Sequence, residues 1–192
     1  MNLSALSTVQ VAIIIAVAVL LVAGIAILVS IRKRNTERLR TQFGGAEYNR
    51  ALKEGGSRQK AEALLDKRAD RVESFHLQPL GPGDRARFIE SWRGVQARFV
   101  DGPGGAVTEA DQLLRDVMST RGYPVGDFKQ READISVDHP LVLDHYRTAH
   151  EIALRQTQGQ AGTEELRQAM IHYRTLFEEL VGEPELARAK TA

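Results

Sequence analysis

The sequence predicts an all-α protein: one N-terminal transmembrane helix, a charged juxtamembrane helix and a small helical bundle of two hairpins. Three observations carry this expectation. Residues 11–29 form an uninterrupted apolar run. Beyond it, apolar residues recur at three- and four-residue spacing, the period of a helix with one buried face. The prolines at 79, 82, 103, 124, 140 and 184 all fall where that period breaks, so none removes a helix-interior hydrogen bond. Aromatic residues are only 6% of the chain, low for a β-rich core, and no alternating strand pattern competes.

The run from Val11 to Val29 has no charged or polar side chain, and Ser30 and Ile31 extend it. At about 1.5 Å per residue nineteen residues cover roughly 28 Å, the thickness of a bilayer's hydrocarbon core. A buried helix of a soluble protein rarely runs this far without a polar residue. A cleaved signal would carry a basic segment in front, whereas residues 1–10 hold no Lys or Arg. The reading is a retained anchor at 11–31 after a short extracytoplasmic segment, 1–10. Arg32, Lys33, Arg34, Arg38 and Arg40 follow the span, and basic residues stay on the cytoplasmic side, so the N-terminus is expected outside.

The chain holds 26 Lys or Arg against 25 Asp or Glu, a net +1 that names no partner. Its distribution says more: residues 32–71 hold 12 basic against 6 acidic side chains, whereas residues 72–192 hold 14 against 19. A basic segment beside the lipid attracts anionic headgroups, so those five cations are the expected membrane-surface residues. Nucleic acid is not an expected partner, because acidic residues interleave and no stacking aromatics accompany the basic ones.

Residues 32–76 read as a basic juxtamembrane helical region. Arg32–Leu52 continues the anchor helix, with Gly44-Gly45 as a point of bending and Gly55-Gly56 as its end. Ser57 caps a helix to about His76, whose thin apolar face (Ala61, Leu64, Leu65, Val72, Phe75) among alternating charges reads as solvated or as a coiled-coil partner. Residues 84–181 form the bundle. Asp84 caps a helix with Phe88, Trp92, Val95 and Phe99 on one stripe, spaced for burial more than for a partner. The turn at 102–105 leads to a helix through Ala106, Leu113, Leu114 and Met118, ending near Gly122. Asp127 caps a short helix to about Ile135. Asp138 or His139 starts a longer one with Pro140 in its first turn, and Thr163 starts the last, which runs to Val181. Residues 182–192 lack a core face and read as a frayed tail.

Chemistry is sparse. The absence of cysteine excludes disulfides, Cys-ligated zinc, iron–sulfur clusters and thiol catalysis. No Gly-x-Ser-x-Gly elbow, phosphate-binding glycine loop or His-Glu-x-x-His string occurs. No catalytic residue, cofactor or metal is therefore expected, and the functional reading is a membrane-anchored interaction or scaffold module with an unknown protein partner or self-association. The alternative is a membrane-tethered enzyme or metal-binding bundle, with Asp144, His145, His150 and His172 on two neighbouring helices as its ligands. Tyr123, Pro124 and Phe128, in a connector with two aromatics, read first as a lock between the two hairpins, because proline and aromatics there serve packing, and second as the candidate partner surface.

The strings Gln42-Phe43-Gly44-Gly45-Ala46-Glu47-Tyr48-Asn49-Arg50, Trp92-Arg93-Gly94-Val95-Gln96-Ala97-Arg98-Phe99, Arg121-Gly122-Tyr123-Pro124-Val125-Gly126-Asp127-Phe128 and Ser136-Val137-Asp138-His139-Pro140 resemble a family of uncharacterised bacterial proteins described as membrane or secreted. The resemblance covers most of residues 38–181 and implies no activity. Where this chain has Gly44-Gly45-Ala46-Glu47-Tyr48, relatives often carry Gly-Pro-Glu-Tyr. The expected location is the bacterial inner membrane, single-pass, with the bundle cytoplasmic; export to the periplasm is the alternative.

Overall fold

The computed structural model describes residues 8–182, with side chains from residue 13 onward. Residues 1–7 and 183–192, most of the expected N-terminal segment and tail, lie outside them. The described residues form seven α-helices and no strand: α1 Thr8–Gly55, α2 Arg58–Glu73, α3 Pro82–Arg98, α4 Pro103–Thr120, α5 Phe128–Asp138, α6 Leu143–Thr157 and α7 Thr163–Gly182.

The first helix is two limbs joined at Gly44, whose backbone (φ 70°, ψ 164°) is open essentially to glycine alone. The joint is a reversal of the chain and not a bend. The Thr36 and Tyr48 hydroxyls both donate to Oε1 of Glu62, at 2.6 and 2.8 Å. On a straight helix their separation of twelve positions would span about 18 Å, beyond the reach of both side chains to one oxygen. Gly44→Ala is therefore expected to cost about 1–3 kcal/mol of stability, read by thermal unfolding in detergent followed by circular dichroism. An unchanged transition would show that the backbone at Gly44 is not strained for a side chain.

Helix α2 starts as expected, with Ser57 Oγ accepting from the Lys60 amide, but it is not a solvated rod. Ala61, Leu65 and Val72 are buried against Leu39 and Phe43 of the first limb, Tyr48 and Ala51 of the second, and Val137 of α5. A second, larger core gathers Phe88, Trp92 and Val95 of α3, the apolar face of α4, Ile135 of α5, and Tyr146, Tyr173 and Phe177 among the buried residues of α6 and α7. In it α3 packs on α4, α4 on α7, and α6 on α7. The two cores meet at α5 and at Phe75 and Leu77, which touch both.

Several helix ends differ from expectation for local reasons. Gly81 caps α3 with Pro82 as its first residue, leaving Asp84 in the first turn. Asp127 does cap α5, accepting from the Gln130 amide at 2.8 Å, but α5 runs to Asp138. A residue before proline is pushed out of the helical region, so His139 (φ −127°, ψ 49°) ends α5 and α6 begins only at Leu143. At α7 the cap is Gly162, whose amide donates to Glu165 Oε2 at 3.0 Å, so Thr163 is already helical.

Candidate functional site

The end of the molecule that carries the apolar run is defined by what is left uncovered. Every apolar side chain from Ile13 to Ile31 is exposed on all sides of the helix, including Leu20 and Val22 at 71% and 67%. Ile13–Gly55 is the one helix among the described residues long and apolar enough to cross a membrane. Arg32, Lys33 and Arg34 follow the apolar run within that helix, their side chains exposed and without a hydrogen-bond or ion-pair partner among the described residues. The other two expected headgroup residues are engaged with protein. Arg38 donates to Asn35 and pairs with Asp66, and the Arg40 guanidinium lies 4.9 Å from the centre of the Tyr48 ring. The Arg38–Asp66 and Arg40–Tyr48 contacts follow from the reversal at Gly44, where the sequence predicts only a bend.

Below this end a buried ionic clamp joins the first core to the second. Glu47 is 3% exposed and accepts from Arg68 of α2 at 2.7 Å and from Arg147 of α6 at 2.8 Å. Arg147 also pairs with Glu132 of α5 and, at 3.0 Å, with Asp144. A second bond runs from Arg71 Nε to Asp134 at 3.1 Å. Nothing in the sequence marks Glu47 for this role, since a carboxylate in a basic stretch looks solvated; its position one turn after Gly44 is the only signal. Glu62 is a further, half-buried carboxylate of this region. Burial pushes its carboxyl up, but bonds from Thr36, Tyr48 and Arg58 outweigh that and hold it below the usual range.

The candidate metal ligands are only partly brought together. His145 and His172 face each other with Nδ1 atoms 2.7 Å apart. Asp144 instead points to Arg147 and Arg50, and His150 stacks on Phe128 with ring centres 3.6 Å apart. Among the described residues no three metal-ligating side chains converge. Burial, and then the neighbouring His145, lower the pKa of His172; burial lowers that of His150.

These two histidines give a pH prediction. A histidine with a depressed folded pKa is protonated first in the unfolded chain, so its contribution is complete above the ordinary value of 6.5 and is lost as pH falls through the interval below it. The melting temperature should fall on acidification through this window, and His150→Gln should flatten the fall. An identical slope in that variant would remove His150 from the account.

The candidate partner surface is corrected at its centre. Tyr123 is 2% exposed, packs edge-on against Phe75 and donates from its hydroxyl to Asp138 at 3.0 Å. Phe128 is half-buried between His150 and Tyr146, and Pro124 is half-buried. The connector's outward apolar residue is Val125. The segment is a joint: beside it, Gly122 (φ 96°) has no room for a Cβ, which would lie 2.6 Å from the His76 carbonyl oxygen.

No family model, curated protein or solved structure matches the chain, so the resemblance carried by strings such as Trp92–Phe99 remains an expectation from sequence alone.

Proposed function

We propose that this protein is a single-pass membrane-anchored, non-catalytic interaction or scaffold module, with its N-terminus outside and a small bundle of α3, α4, α6 and α7 in the cytoplasm. The observation that supports this reading is the fully exposed apolar run Ile13–Ile31 followed directly by Arg32, Lys33 and Arg34. Water would not tolerate such a surface on an isolated monomer, and the basic residues favour the cytoplasmic side. Anionic headgroups are its first partner, through these three cations. A protein partner or a second copy is the further partner of the body.

The test is topology in a bacterial host, with alkaline phosphatase or a fluorescent protein fused after Val181. Fluorescence in the membrane fraction without phosphatase activity supports the reading. Phosphatase activity would overturn the orientation and move the body to the periplasm.

A second reading, metal binding, is favoured by one observation, the 2.7 Å separation of His145 and His172. Elemental analysis of untagged protein tests it: stoichiometric metal lost in His172→Ala supports it, and metal-free protein ends it.

A further inference from the structure

We propose that the turn at residues 53–60 is a second membrane contact, returning Lys53, Arg58 and Lys60 to the level of Arg32–Arg34 to form one platform for anionic phospholipid headgroups. The proposal rests on reading Ile13–Ile31 as a span. It follows from the direction of α2, which the side-chain contacts fix.

Arg58 donates to the Thr36 hydroxyl at 2.7 Å and Glu62 accepts from the same hydroxyl. One turn on, Asp66 meets Asn35 and Arg38. Further along, Ala69, Asp70 and Glu73 line one cavity with Arg38 and Gln42. Advancing along α2 thus advances along the first limb of α1, away from the apolar run. The two run parallel, so the second limb, 45–55, must carry the chain back toward the apolar run before α2 begins.

The level can be estimated. Arg58 and Glu62 both reach the Thr36 hydroxyl, so the Arg58 guanidinium sits level with Thr36, five residues or about 7.5 Å along the helix from Ile31, and the turn that precedes it is no farther from the span. If Ile31 marks the hydrocarbon boundary, the turn lies within the headgroup layer, which is roughly 5–8 Å deep on each side.

The chemistry of the turn suits that place. Residues 53–60, Lys-Glu-Gly-Gly-Ser-Arg-Gln-Lys, carry three cations against the single carboxylate of Glu54. The side chains of Lys53 and Lys60 are exposed and have no hydrogen-bond or ion-pair partner among the described residues, whereas Arg58 is shared with Glu62 and Thr36. Gly55, Gly56 and Ser57 form the tip, where the absence of bulky side chains lets the backbone approach a surface closely. Two separate basic segments on one plane set the body's rotation about the anchor as well as its depth, which one helix crossing the surface cannot do.

The chain has no cysteine, so single-cysteine variants of the full-length protein report position directly. Arg34→Cys, Gln59→Cys and Val100→Cys are labelled with a fluorophore and reconstituted into phosphatidylcholine–phosphatidylglycerol vesicles carrying a headgroup nitroxide. Quenching at 59 comparable to that at 34, with none at 100, is the expected result. Adding Lys53→Glu and Lys60→Glu should abolish quenching at 59 and leave it at 34. Quenching at 34 without quenching at 59 overturns the proposal while the anchor stands. Quenching at 59 that survives charge reversal overturns headgroup recognition. No quenching at 34 means that the span itself has failed, and the proposal with it.

Discussion

Glu47→Ala is expected to destabilise the protein by about 3 kcal/mol, the lower end of what breaking one side of a buried ion pair costs. The Glu47 carboxylate is 3% exposed and takes one bond from each of two guanidinium groups on different helices. Arg147 would keep Glu132 and Asp144, but Arg68 has no other partner among the described residues and its side chain is 18% exposed. An uncompensated charge that can still reach water sets the estimate at the lower end. The loss should be unevenly distributed. Glu47 ties the core of α1 and α2 to α6, while Trp92, the only tryptophan, lies in the other core. Helix content should then melt in two steps, with tryptophan fluorescence following only the second. Coincident transitions at the wild-type temperature would show that the clamp carries no stability. Replacing Glu47 by Leu together with Arg68→Met should cost less than Glu47→Ala alone, because no buried charge is left behind.

The parts of the fold legible in the sequence were those set by neighbours along the chain. The apolar run, the caps at Ser57 and Asp127 and the stripe Phe88, Trp92, Val95 each depend on residues within one or two turns, and the structure carries all of them. Gly44 was legible as a weak point but not as a reversal. What turns a bend into a reversal is Glu62 collecting Thr36 and Tyr48, a contact between residues 14 to 26 positions apart. Helix α2 looked solvated for a related reason. Periodicity records that a side chain is charged but not whether its counter-ion is water or another helix, and Arg68 and Arg71 both find carboxylates across the interface. The surroundings of the candidate site residues were hidden in the same way. Tyr123 sits in a connector of the kind that displays residues, yet Phe75 and Asp138 close over it. His145 and His172 met across two helices, while His150, on the same helix as His145, was drawn to Phe128 instead.

Trp92→Ala should be the most damaging core substitution, at about 3–5 kcal/mol, because it removes the largest side chain from a packed interior. Trp92 is 5% exposed and lies flat on Phe177, with ring centres 4.7 Å apart and planes 17° from parallel. This stack joins α3 to α7, a pair with little else between them compared with the extensive α4–α7 and α6–α7 packing. Losing it should therefore free α3 before the rest of that core. Trp92→Phe separates the two contributions of the indole. It keeps most of the apolar contact and removes Nε1, a buried N–H with no hydrogen-bond partner among the described residues. An unsatisfied buried donor costs about 1–3 kcal/mol, so its removal offsets part of the lost area. Trp92→Phe should fall well short of half the damage of Trp92→Ala when both are compared by thermal unfolding and circular dichroism. Equal damage from the two variants would mean that the Trp92 N–H finds a partner after all, and that the indole edge, rather than its face on Phe177, holds α3 in place.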